Sequence, residues 1–241
     1  MSSEKNFKIF VDFDGTITKR DVGEAMFLEF GDAAEANIIV KDWIGGKINA
    51  AQSWELLCAT VKNFDKDRFN LFLNEIEIEP TFFEFVDYCK TKGFEIRILS
   101  DGLDYYISRI LEKNSLSHIE VYSNKLYVDG DNRLIPLFPT TDEECRRCAN
   151  CKRNHVLNFS SDDDYSVYIG DGYSDTCPAQ FCDFIFAKHS LLKYCETNRI
   201  TFFPYKNFND VKERLEQLGS KKRIKKRYQA QLKRNEVYVQ G

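Results

Sequence analysis

Three short apolar runs in this chain stop in the same way. "FKIFVDFDGT" (7–16), "FEIRILSDG" (94–102) and "YSVYIGDG" (165–172) each pass through Val, Ile, Leu or Phe into an aspartate and a glycine. Short runs rich in β-branched and aromatic residues, bounded by Gly and Asp, read as buried strands. Helical stretches alternate with them: "PTFFEFVDYCKTKG", opened by Pro80 and closed by Gly93, then "LDYYISRILEKN". Two more short strands, "FIFAK" and "ITFFPY", follow the third run. Such alternation implies an α/β fold, a Rossmann-like parallel sheet with helices on both faces. Ligands of such sheets sit beyond the carboxyl ends of the strands, so Asp12, Asp14, Ser100 and Asp171 are expected to converge on one crevice.

Residues 19–78 break the alternation. "DVGEAMFLEFG" opens with Asp21 and Glu24 at capping-box spacing and closes with Gly31. "NAAQSWELLCATVKN" repeats Ala51, Trp54, Leu57, Cys58 and Val61 at helical spacing, and "DKDRFNLFLNE" continues in that style. The segment reads as a helical insert after the first strand. "NKLYVDGDNRLIPLF" reads as a hairpin turning at "DGDN". The expected organisation is a core of 1–18 plus 79–218, a small helical cap at 19–78, and a tail at 219–241.

The chain of 241 residues is 43% hydrophobic and 14% aromatic, which supports a large core and excludes global disorder. No run approaches the length of a membrane span, and "MSSEKNFK" lacks the apolar stretch of a signal peptide, so a cytoplasmic location is expected. The net charge of −4 is unevenly placed: the tail holds eight Lys/Arg against Glu236, leaving a body of formal charge about −11. An acidic body is not a nucleic-acid-binding composition, and no membrane partner is expected. In the tail, Ile224, Tyr228 and Leu232 form a narrow i, i+4, i+8 stripe. A terminal helix packed on its own domain or on a partner subunit is the plainer reading, and recruitment of a polyanion the sharper one. No sequence signal sets an oligomeric state.

Two carboxylates at the end of an apolar strand repel, and a cation is the obvious compensation. Clustered carboxylate oxygens from Asp12, Asp14 and Asp171, with Asp175 nearby, suit Mg²⁺. An ionised Asp12 can attack phosphorus. Asp14 can protonate a leaving oxygen and later deprotonate a water. A transferring phosphoryl group needs a hydroxyl and a cation on its oxygens. Ser100 supplies the hydroxyl, and Lys152, opening "KRNHVLNF", can supply the cation, with Arg147 and Arg153 as neighbours in sequence.

Taken in order, "DFDGT" (12–16), Ser100 in "ILSDG", Lys152 and "GDGYSD" (170–175) resemble the four motifs of the haloacid-dehalogenase-like phosphatase superfamily. The helical insert resembles the cap of its phosphoserine-phosphatase-like branch. "CRRCANCK" and "HSLLKYCETNRITFFPYKNFNDVKERLEQL" are similar to the methionine-salvage phosphatases of 2-hydroxy-3-keto-5-methylthiopentenyl-1-phosphate. That likeness spans residues 7 to 218 and excludes the tail. It implies Asp12 as nucleophile, Asp14 as acid/base, and Asp12, Asp171 and the Asp14 carbonyl as Mg²⁺ ligands, with Asp175 orienting them. It selects Lys152 among the basic residues. It places Thr16, Ser100, Asp101 and Gly102 around the phosphate or substrate. Arg20 and Glu24 lie where a cap would meet the leaving group, although a helix-end charge and a capping box explain them equally well. The implied function is a Mg²⁺-dependent phosphomonoesterase acting on a small phosphorylated metabolite through an aspartyl-phosphate. Phosphoserine, phosphocholine and a vitamin phosphate are the alternative substrates. A phosphatase-like binding protein recruited by its tail is the alternative of another class.

One cluster stands outside these motifs. Cys145, Cys148, Cys151 and His155 read C-x2-C-x2-C-x3-H, a zinc donor set at shorter spacing than in common fingers. The first three positions also fit an iron–sulfur run that lacks its fourth cysteine. Three reduced cysteines in a loop is the plainer reading.

Overall fold

The computed structural model describes residues 5–240; residues 1–4 and 241, the outer ends of the expected core and tail, lie outside the described residues. Along the chain come β1 (Phe7–Val11), α1 (Val22–Phe30), α2 (Ala33–Ile44), α3 (Ala50–Thr60), α4 (Lys66–Asn74), α5 (Thr81–Lys92), β2 (Glu95–Leu103) and α6 (Asp104–Lys113). Then follow β3 (Glu120–Val128), β4 (Leu134–Leu137), α7 (Lys152–Phe159), β5 (Tyr165–Gly170), β6 (Phe184–Ala187), α8 (His189–Thr197), β7 (Phe203–Pro204), α9 (Phe208–Ser220) and α10 (Tyr228–Gln240). Contacts divide the chain into two compact units, one of residues up to Asp12, Ile78–Leu99 and Lys152 onward, the other of Phe13–Glu77 and Ser100–Cys151.

The first unit is a parallel α/β sheet in the order β2-β1-β5-β6-β7. Its central strands β1, β5 and β6 are buried on both faces, which is why they read as continuous apolar runs and not as alternating ones. Phe7, Phe10, Val11, Val167, Ile169 and Ile185 are essentially inaccessible. Register aligns the carboxyl ends: Val11 lies opposite Ile169, Gly170 opposite Ala187, and Ala187 opposite Pro204. Gly93 ends α5 at φ +68, a left-handed position natural to glycine, and reverses the chain into β2.

The second unit holds α1–α4, α6 and the hairpin of β3 and β4, which pair antiparallel with Tyr127 opposite Ile135. Asp21, Asp32, Asn49 and Asp65 cap α1–α4 in turn through side-chain oxygens on backbone N–H groups. Phe27, Phe30, Trp54, Phe64, Phe69, Phe72 and Tyr105 form its aromatic core.

The tail differs from the stripe read in the sequence. Ile224 precedes α10, whereas Tyr228 and Leu232 face outward at 69% and 43% exposure. The helix docks instead through Ala230 and Arg234 in the first unit. Guanidinium hydrogen bonds to backbone carbonyls, invisible to a hydrophobic periodicity, choose the buried face. Among the described residues no helix is long and apolar enough to cross a membrane.

Candidate active site

Each unit gathers some of the residues singled out above. In the first, the ladder between β1 and β5 runs one residue past β1, with the Asp12 N–H on the Ile169 carbonyl at 2.9 Å. That bond fixes Asp12 at the sheet's carboxyl edge, buried to 4% exposure. Lys152 opens α7 and is itself buried. Its Nζ lies 2.5 Å from Asp12 Oδ1, 2.8 Å from Asp175 Oδ1 and 3.2 Å from Ser174 Oγ. Burial works against the ammonium, but the charges of Asp12 and Asp175 outweigh it and hold Lys152 above the usual lysine range. Arg147 is exposed, and Arg153 lies over the Phe181 ring at 5.9 Å.

Asp175 organises its own loop. Oδ2 accepts the N–H groups of Asp171 and Gly172 at 3.0 and 2.9 Å, and Oδ1 accepts the Tyr168 hydroxyl at 2.6 Å beside Lys152. Gly170 makes this closeness feasible, since a Cβ there would stand 2.5 Å from Asp175 Oδ2. Asp12, Asp171 and Asp175 thereby present oxygens within 4.8 Å of one another. Lys188 follows β6, with its N–H on the Gly170 carbonyl and its Nζ 5.2 Å over the Tyr205 ring. Burial lowers its pKa, against the pull of Asp171, Glu79 and Asp12. A partly buried, negatively charged set of hard oxygen donors can hold a metal ion of the Mg²⁺ type.

In the second unit Asp14 is gripped at both oxygens. Oδ1 accepts the Val22 N–H at 3.0 Å, and Oδ2 accepts the Tyr106 hydroxyl at 2.8 Å and the Ser100 hydroxyl at 3.3 Å. Ser100 is inaccessible, and its Oγ accepts the Gly102 N–H at 2.9 Å. A Cβ on Gly102 would stand 1.9 Å from Tyr106 Oη and 2.7 Å from Asp14 Oδ2, so only glycine fits. Burial first, then the Asp14 charge, keeps the Tyr106 phenol protonated well above its ordinary range. Thr16 is buried, its N–H on the Phe13 carbonyl at 3.3 Å. The Asp101 carboxylate accepts the Asn150 N–H at 2.8 Å, a loop contact. Asn150 also donates to the carbonyls of Ser100 and Tyr122 at 2.7 and 2.9 Å. Arg20 is exposed with its guanidinium 4.9 Å over Phe72, and Glu24 is exposed with its N–H on the Asp21 cap at 2.8 Å.

Among the described residues, the carboxylate trio is the only group of three or more His, Cys, Asp and Glu donors drawn that close. Cys145, Cys148 and Cys151 lie in the second unit and His155 in the first, and among the described residues they are not such a group. Cys145 donates its N–H to Asp142 and Cys151 to the Thr140 carbonyl, bonds that shape a loop. All eight cysteines are thiols, and His155 stacks on Phe159 at 6.4 Å.

Sequence reasoning passed over Tyr106, Tyr168 and Asn150. Tyr106 carried a signal: it lies one helical turn beyond the glycine of "SDGLDY", on the helix that leaves the strand end.

The parallel α/β core, with acids and a buried lysine at its carboxyl edge, has the haloacid-dehalogenase-like fold of solved phosphoserine phosphatases. A phosphoserine phosphatase solved as a phospho-aspartyl intermediate analogue superposes with TM-score 0.68 at 22% identity, over 89% of this chain and 99% of that one. The chain belongs to the family described as Putative Phosphatase, which matches residues 7–202. A 2-hydroxy-3-keto-5-methylthiopentenyl-1-phosphate phosphatase of Brevibacillus brevis is 27% identical over 89% of this chain and 97% of that protein. The Pdp3-interacting factor 1 of Schizosaccharomyces pombe is likewise 27% identical, over 90% and 98%.

Proposed function

We propose that this phosphatase is a cytoplasmic, Mg²⁺-dependent phosphomonoesterase working through an aspartyl-phosphate on Asp12. The observation that carries this reading is the buried Lys152 between Asp12 and Asp175, beside an Asp12–Asp171–Asp175 oxygen cluster. Lys152 pairs with the Asp12 carboxylate and is placed to neutralise charge on a phosphoryl oxygen. Asp12 and Asp171, with the Asp14 carbonyl, would hold Mg²⁺, and Asp175 would orient them. When bound, the ion supplies positive charge against the carboxylates and the phosphoryl oxygens.

An Asp12 carboxylate oxygen attacks phosphorus, and the bond from phosphorus to the ester oxygen breaks. The leaving oxygen takes a proton from Asp14 and departs as an alcohol. A water then attacks phosphorus, gives its proton back to Asp14, and releases inorganic phosphate and free Asp12. The Ser100 hydroxyl, with Thr16 and the Gly102 backbone, serves the phosphate oxygens. Residues 19–78 act as the cap that selects the substrate, through Arg20 and Glu24 among others.

The substrate we favour is 2-hydroxy-3-keto-5-methylthiopentenyl-1-phosphate, since a relative named for it aligns over nearly its whole length. Turnover of that ester, measured beside phosphoserine, phosphocholine and a vitamin phosphate, tests the choice. Asp12→Asn removes the attacking anion while keeping shape, so turnover is expected to fall by roughly 10⁴-fold or more with the fold intact. Beryllium fluoride should form its adduct on Asp12 and nowhere else. An adduct on another residue, or an active Asp12→Asn protein, refutes the mechanism.

A further inference from the structure

We infer that Arg227 and Arg234, in the tail beyond the family match, are positioning residues for the metal-binding loop, an inference that rests on the Mg²⁺ reading of Asp12 and Asp171. Immediately after Asp175 the chain makes a single 3-10 turn, Pro178–Phe181, anchored by the Ala179 N–H on the Asp175 carbonyl at 3.1 Å. The last carbonyls of any such turn have no partner inside it. Here the tail supplies donors to four consecutive carbonyls, of which that of Ala179 also accepts the Cys182 N–H at 3.4 Å. Arg227 Nη2 donates to the carbonyls of Ala179 and Gln180 at 2.6 and 2.7 Å, and its Nε to that of Cys182 at 3.0 Å. Arg234 Nη1 donates to the Phe181 carbonyl at 2.6 Å.

The same Arg234 places Nη2 3.2 Å from Asp183 Oδ1, while Asp183 Oδ2 accepts the N–H and hydroxyl of Ser166 in β5 at 3.1 Å each. The turn is thus pinned to the strand that ends in Gly170. Asp171 and Asp175 lie in the short loop between two ends of this clamp: β5 on one side, the capped turn on the other. Arg234 is 6% exposed, so its charge has no alternative partner in solvent. A planar guanidinium holds its donors in a fixed fork that spans separate carbonyls, whereas an ammonium gathers its three donors at one point. The five bonds therefore fix where the Asp175 carbonyl and side chain sit, and through the Asp175 bonds to the Asp171 and Gly172 N–H groups, where Asp171 points.

The test is calorimetric titration of Mg²⁺ into the full-length protein, its Arg227→Met,Arg234→Met double variant and an Arg227→Lys variant, alongside kcat and KM. The double variant should bind Mg²⁺ about tenfold or more weakly, as expected when groups supporting a metal's ligands are lost. Its kcat at saturating Mg²⁺ should stay within about threefold of the parent, because no reacting group is removed. Arg227→Lys keeps charge and stem but loses the fork, and should be weakened to an intermediate degree. Lys222→Ala, exposed in the same tail, should bind Mg²⁺ like the parent. If the double variant does not fold, Arg227→Lys alone carries the test. A folded Arg227→Lys or double variant with the parent's Mg²⁺ affinity overturns the inference. A parent protein that binds no Mg²⁺ overturns the proposed function instead.

Discussion

Asp14 illustrates how a single side chain is held ready for a proton. Both of its oxygens accept hydrogen bonds, and the strongest grip on Oδ2 is the buried Tyr106 hydroxyl. If that bond aims the acid at the leaving oxygen, its loss must hurt most where the leaving group needs a proton. Tyr106→Phe is therefore expected to lower kcat/KM about tenfold for an alkyl phosphate and by less than about twofold for p-nitrophenyl phosphate. Equal losses on both esters would assign Tyr106 to packing alone. Gly102→Ala should be worse than Tyr106→Phe on either ester, because its Cβ would displace both the phenol and the Asp14 carboxylate.

At the scale of elements, the end of β2 is tied to the cysteine-bearing loop through Asn150. Its amide donates to the Ser100 and Tyr122 carbonyls and its oxygen accepts the Thr140 hydroxyl. Asn150→Ala removes a donor from the Ser100 and Tyr122 carbonyls, so stability should fall by about 2 kcal/mol in urea melts. These bonds give the loop anchors that need no metal. Elemental analysis of protein prepared without chelator should accordingly find far less than one zinc per chain; a full equivalent, lost with Cys148→Ser, would restore the zinc reading. Asp21 was legible as a helix start because capping is local, and Asp32, Asn49 and Asp65 also each cap a helix within three residues of themselves. The face that α10 buries was not legible, because its partners are carbonyls about fifty residues earlier in the chain.

For the whole molecule, one buried group sets an acid limit on stability. Burial holds His155 down at about 4, while in the unfolded chain it titrates at its ordinary value near 6.5. Between those two values the unfolded state binds a proton that the folded state refuses, so stability must fall as pH drops. The loss builds up from about pH 6.5 down to about pH 4. Urea melts at pH 7 and pH 4.5 should show it, and His155→Gln, which does not titrate, should be less sensitive over that window. Equal acid sensitivity in the two proteins would place the loss on other groups.

What the sequence determined by itself is whatever lies along the chain. Apolar runs ending in Asp-Gly specified parallel strands and put acids at their carboxyl edge, because side-chain burial and turn chemistry are decided by immediate neighbours. Asp12 and Asp14 share one strand end, and Asp171 and Asp175 one loop, so their grouping was already covalent. Composition and spacing left Arg147, Lys152 and Arg153 open beside Asp12; the family likeness pointed to Lys152, and only the fold brings it there from 140 residues away. Tertiary structure alone decided that Tyr106, 92 residues from Asp14, would hold it, and that Arg234, 53 residues beyond Phe181, would cap the turn that follows Asp175. A hydrogen bond across such distances leaves no period and no spacing in the sequence. It exists only once the hydrophobic effect has closed the chain and left a buried donor facing a buried acceptor.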